Sequence, residues 1–176
     1  MSPMSDPKFV HLRLHSEYSI TNGIVRIDDV IARALADGMP ALAITDQANL
    51  FGMVKFYTAT RSAGIKPVIG CDAWVHTGEA GRAEGHEEAT RVLLLVKNRA
   101  GYLRLCELVS EAYLAPRRRG RAEISRAALA QGDNSGLIAL SGAQSGEIGQ
   151  LLLAGKIEQA ERQAGVVYLV SGKFLY

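Results

Sequence analysis

Short apolar runs alternate with amphipathic stretches along the whole chain, and this alternation predicts an α/β protein. Strands are predicted at Phe9–Leu14, Ala41–Thr45, Pro67–Val75, Val92–Val96 and Leu137–Leu140. Between them lie helix patterns over Ile27–Asp37, Leu50–Ala63, Ala100–Tyr113, Ser125–Ala130 and Gly146–Leu153. In the first of these, Ile27, Val30, Ile31, Ala34 and Leu35 recur with a helical period, and Gly38, followed at once by Pro40, closes it. Strands spaced by helices of this length imply βαβ units and a parallel sheet. Such units either close into a barrel or spread as an open doubly wound sheet, and the pattern does not choose between them. The Gly- and Glu-rich stretch His76–Thr90 reads as a surface excursion.

The polar positions within this pattern carry the chemistry. Side chains alternate along a strand, so His11, Arg13 and His15 would share one face of the first strand and Leu12 and Leu14 the other. Histidines at alternating positions suit a metal, because neutral imidazoles converge on one ion. The middle residue is an arginine, which offers no lone pair. Asp46 follows the second strand, where it can either ligate or cap the helix over Leu50–Ala63, and Asn49 fits that cap equally well. His11 reads as structural, His76 and His86 as solvated, and Trp74 and Tyr102 as packing residues. Glu107 and Glu111 form an i, i+4 pair on a solvated helix face.

Composition narrows the class. The 176 residues are 48% hydrophobic and 22% charged, with a net charge of +2, as expected for one globular domain with a sizeable core. No run of about eighteen apolar residues suggests a membrane span, and Met1–Lys8 lacks the apolar core of a signal peptide. Cys71 and Cys106 lie in apolar surroundings and read as reduced, buried and inert, in keeping with the cytoplasm. The net charge is too small to argue for nucleic acid. The densest basic cluster, Arg117-Arg118-Arg119-Gly120-Arg121, has no interleaved aromatic and reads first as a solvated loop, second as a contact to a partner or to DNA.

Several long motifs, in order, carry a resemblance: Phe9–Ser19, Gly38–Gly52, Ala63–Gly70, Leu93–Asn98 with Gly101-Tyr102, and Gly136–Gly142. Residues 8 to about 158 resemble the PHP (polymerase and histidinol phosphatase) domain of the alpha subunit of bacterial DNA polymerase III. The resemblance implies a distorted (β/α)7 barrel. Five strand patterns are too few to complete one, so a truncated domain is expected. The division would be a flexible 1–7, a partial PHP domain over 8–164 and an atypical tail over 165–176, where the family has a helix and then a strand.

In metal-dependent members, a cluster of divalent ions at the barrel rim activates water and clamps phosphate oxygens. Matched position by position, the family's ligands fall here on Arg13, His15, Asp46, Gln47, Asp72, Arg91 and Ala143, so only His15, Asp46 and Asp72 remain as ligand candidates. So thinned a set holds metal weakly. Arg13 is expected to sit in the metal's place and pair with Asp46 and Asp72, whose carboxylates would be costly to bury alone.

The pattern resembles the degenerate PHP domains of proteobacterial alpha subunits. That implies a non-catalytic platform, partnered by the rest of the alpha subunit, by the proofreading exonuclease (epsilon) subunit and, in the holoenzyme, by DNA, with no membrane involvement. The parent polymerase would use Mg2+ at a palm domain beyond this chain. The alternative is a phosphoesterase, either a 3′–5′ exonuclease or a pyrophosphatase, using Zn2+ or Mn2+. A short stand-alone protein without activity is a third possibility.

Overall fold

The computed structural model describes residues 9–76, 89–115, 120–171 and 174–175. The flexible N-terminus expected over 1–7, most of the excursion, including His86, and Arg117 to Arg119 fall outside them. The described chain forms two compact units.

The first unit holds residues up to 46 and 50–70. It contains helix α1 (Ile27–Ala36), strand β1 (Ala41–Ile44), helix α2 (Met53–Ser62) and the opening residues of strand β2 (Lys66–His76). Asp28 and Asp29 in the first turn of α1 and Arg33 in its last complement the helix dipole. Gly38, at φ +63°, turns the chain in the left-handed region so that Met39 N–H reaches Ala34 O at 2.8 Å. The core joins Ile27, Ile31 and Ala34 of α1 to Leu42 and Ile44 of β1, Phe56 of α2 and Ile65. β1 and β2 pair in parallel, Ala41 opposite Lys66 through Ile44 opposite Ile69.

Two local expectations change here. Phe9–Leu14 runs beside β1 without forming a regular strand. His11 O accepts from Ala43 N–H and Leu14 O from Thr45 N–H, which sets three steps on one side against two on the other. The Thr45 hydroxyl takes the place of a ladder partner for the Leu14 N–H, at 2.8 Å. The alternation that would put His11, Arg13 and His15 on one face is therefore broken. Helix α2 starts three residues later than its pattern, at Met53, and Gly52 rather than Asn49 or Asp46 stands at its N-cap.

The second unit holds 47–49 and the chain from Cys71 onward. It carries the rest of β2, strand β3 (Thr90–Val96), helix α3 (Arg99–Leu114), strand β4 (Ile124–Ser125), helix α4 (Arg126–Ala130), strand β5 (Leu137–Leu140), helix α5 (Glu147–Leu153), helix α6 (Ile157–Ser171) and strand β6 (Phe174–Leu175). The Asn98 side chain caps α3 by accepting from Gly101 N–H at 3.0 Å, and Ser125 caps α4 through Ala128 N–H at 3.0 Å. The buried core includes Cys71, Ala73, Val75, Leu93, Leu94, Leu95, Leu105, Leu108, Ile124, Leu129, Leu137 and Ala139.

β2 pairs in parallel with β4, and β5 with β6, but β3 and β5 are antiparallel, Leu93 opposite Leu140 through Val96 opposite Leu137. The all-parallel expectation fails here because an apolar run encodes burial and not direction. Within the stretch expected as an atypical tail, residues 165–171 continue α6, and β6 pairs with β5. Cys71 is buried as expected, whereas Cys106 is only half-buried.

Candidate functional site

The residues matched to the family's ligands divide between the units, and each group has its own geometry. In the first unit, β1 ends at Ile44 and leads through Thr45 to Asp46, which is 2% exposed. The run Ser16–Ser19 turns tightly, Ser19 N–H donating to Ser16 O at 2.9 Å, and closes over this carboxylate. Asp46 Oδ1 accepts from Ser16 N–H at 2.6 Å and from the Ser19 hydroxyl at 2.7 Å, and Oδ2 accepts from the Ser16 hydroxyl at 2.8 Å. Gly52 admits this arrangement: a Cβ there would lie 2.8 Å from the Tyr18 ring and 3.2 Å from Asp46 Oδ2. His15 is half-buried immediately before the turn, and Arg13 is exposed.

In the second unit, Asp72 on β2 is also 2% exposed. The Arg91 guanidinium from β3 grips it as a fork, Nε to Oδ1 at 2.9 Å and Nη2 to Oδ2. Such a bidentate pair satisfies both carboxylate oxygens at once. Gln47 lies beside Asp72 through a parallel backbone bridge, and Ala48 N–H donates to Asp72 O at 3.0 Å. Ala143 opens a 3-10 turn, Ala143–Ser145, at φ +48°. Gly142, at φ +72°, lets that turn press on β3: a Cβ on Gly142 would meet the Arg91 carbonyl at 2.2 Å.

This donor set does not fit a metal cluster. The Asp46 oxygens serve the N–H and hydroxyl donors of Ser16 and Ser19, and those of Asp72 serve a permanent cation. Among the described residues, no group of three or more His, Cys, Asp or Glu side chains is disposed to hold an ion.

Sequence reading missed several features. Ser16 and Ser19 gave only the weak signal of two hydroxyls three residues apart. Trp74, taken as packing, carries the Arg121 guanidinium over its ring at 3.8 Å and that of Arg91 at 5.1 Å. Arg121, taken with its neighbours as a solvated loop, is half-buried and also binds Glu123, Nε to Oε1 at 2.7 Å. Arg104 gathers the end of α4, donating to Asn134 Oδ1 at 3.2 Å, to Ala128 O at 2.6 Å and to Gln131 O. His76 ends β2, and its Nδ1 is buried with no hydrogen-bond partner among the described residues.

No described helix is long and apolar enough to cross a membrane. The chain is 48% identical over 166 residues to the DNA polymerase III subunit alpha of Neisseria meningitidis, which covers 94% of this chain and 14% of that protein. The corresponding subunits of Vibrio cholerae and Escherichia coli K12 are 43% and 44% identical, over 90% and 86% of this chain and 13% of each of theirs. The chain thus spans about one seventh of the length of these relatives. Among solved structures, an amidohydrolase from Chromobacterium violaceum, determined with bound sulfate and no metal, is similar at 23% identity and a TM-score of 0.43, over 58% of this chain and 32% of its own. The PHP domain model matches residues 11–171. With nearly its whole length so matched, the chain belongs to the PHP domain family.

Proposed function

We propose that this chain supplies the PHP portion, over residues 8–164, of a replicative DNA polymerase alpha subunit and acts there as a platform rather than a hydrolase. The observation that carries the reading is the Asp72–Arg91 fork, which gives a buried family ligand position to an internal cation. A second ligand position, Asp46, is spent on orienting the Ser16–Ser19 turn. Both carboxylates work for the fold, which is what a scaffold requires and a multi-metal phosphoesterase cannot tolerate.

In this reading the whole subunit extends DNA on a template with Mg2+ at a palm domain outside this chain. The PHP portion holds the rest of the subunit and docks the proofreading exonuclease (epsilon) subunit, in the cytoplasm. The 43–48% identity to polymerase alpha subunits supports the parentage. The test is elemental analysis after purification in zinc and manganese, with a phosphodiester hydrolysis assay on the same sample. Substoichiometric metal and no turnover are expected. Stoichiometric metal with chelator-sensitive turnover would establish instead a Zn2+- or Mn2+-dependent phosphoesterase built on His15, Asp46 and Asp72.

A further inference from the structure

A cleft of about 460 Å³ opens in the second unit, and its described lining residues include none of the seven positions matched to the family's metal ligands. One wall is the Trp74–Arg121 stack. Gln144, Ser145 and Gln150 also line the cleft, with Ala89 and Leu153 as apolar neighbours. The Gln144–Ser145 wall is pre-formed. It belongs to the 3-10 turn that Gly142 and Gly146 seat tightly, and a Cβ at Gly146 would come within 1.6 Å of Ser141 O.

The chemistry of this lining selects among ligands. The described lining residues include no carboxylate, imidazole or thiol, so they give a metal ion no donor set. The Arg121 charge is matched by Glu123 at 2.7 Å, so a bare anion gains little surplus attraction. What the cleft does offer is a planar cation fixed on an indole, which is a stacking platform for an aromatic ring. Beside it are two carboxamides and a hydroxyl, each able to donate and to accept along the edge of a base. The Arg121 Nε is committed to Glu123, so its terminal nitrogens would meet a phosphate attached to that ring. A volume of this size lies in the usual range for small-ligand sites.

We propose that this cleft binds a single unpaired nucleotide, its base stacked on the Trp74–Arg121 pair and read at its edge by Gln144, Ser145 and Gln150. The site is independent of the platform reading, because it uses none of the residues on which that reading rests.

Trp74 is the chain's only tryptophan, so its emission reports the cleft directly. The experiment titrates the full chain with deoxyadenosine 5′-monophosphate, with deoxyribose 5-phosphate and orthophosphate as controls. Saturable quenching by the nucleotide, with either control at least about tenfold weaker, is expected from base stacking. Arg121→Lys keeps the charge and removes the planar platform, and should weaken binding by about tenfold. Gln144→Ala with Gln150→Ala alters two exposed side chains, so the fold should hold while binding falls severalfold. A rise in melting temperature on adding nucleotide gives a second readout free of the fluorophore. Absence of saturable quenching, equal binding of orthophosphate, or undiminished affinity in both variants would overturn the proposal.

Discussion

The Arg91 guanidinium and the Asp72 carboxylate meet as a two-pronged fork inside the second unit, with the Asp72 side chain 2% and the Arg91 side chain 11% exposed. Removing one partner takes the fork's matching charge away from the other in a low-dielectric surrounding. Arg91→Met is expected to lower unfolding stability by about 3–5 kcal/mol, measured by urea denaturation. Combining it with Asp72→Leu should recover most of that loss, since both charges of the fork are then removed together. A double variant as unstable as the single one would show that the fork does more than neutralise Asp72.

Asp46 ties the Ser16–Ser19 turn to the end of β1 through three short bonds. Asp46→Ala leaves two hydroxyls and one amide without their charged acceptor, and should cost about 2–5 kcal/mol. Ser19→Ala removes one bond of the three and should cost about 1–3 kcal/mol. Amide hydrogen exchange checks the assignment, because the Ser16 N–H should lose protection in the Asp46 variant more than amides of the second unit do.

Gly101 at the start of α3 touches Gly136 ahead of β5, and a Cβ at residue 101 would lie 1.9 Å from Gly136 O. Backbone cannot yield as the tip of a side chain can, so the helix would have to move off the strand. Gly101→Ala is expected to destabilise by at least about 1–3 kcal/mol despite the better helix propensity of alanine. Thermal melting reads the effect, and a neutral result would show that α3 slides easily against the strand.

Tyr102 has its hydroxyl pKa raised, first by a side-chain hydrogen bond to Cys106 and then by partial burial. A raised pKa in the folded state means that folding favours the neutral phenol. The associated stabilisation is complete below the unfolded tyrosine value and is lost as pH climbs through the higher folded one. Cys106→Ala should move the Tyr102 titration back toward the ordinary tyrosine value, measured by NMR on ring-labelled tyrosine. An unmoved titration would assign the shift to burial alone.

Much of the secondary structure could be read from local pattern. The helical period of Ile27, Ile31 and Ala34 and the positive-φ glycine that ends it depend on neighbours along the chain, and both stand in the structure. So do the apolar runs of β1, β3 and β5. Strand direction did not follow, because Leu93 and Leu140 would be equally buried in a parallel or an antiparallel pair. Nor did the start of α2, where Asn49 looks like a cap but its side-chain amide donates to Gln47 O at 3.0 Å.

For the site, residue type by itself excluded Arg13, Arg91 and Ala143 as metal ligands, since an arginine or an alanine cannot coordinate an ion wherever it points. It also determined that the surviving carboxylates would need partners if buried. Only the tertiary structure decided who those partners are. Ser16 lies 30 residues from Asp46, and Arg91 lies 19 residues from Asp72. The Trp74–Arg121 stack likewise joins β2 to a loop that follows α3. Residue type sets which bonds a side chain can make, but distant segments meet only when the core closes, and that closure chooses among partners that local pattern leaves equivalent.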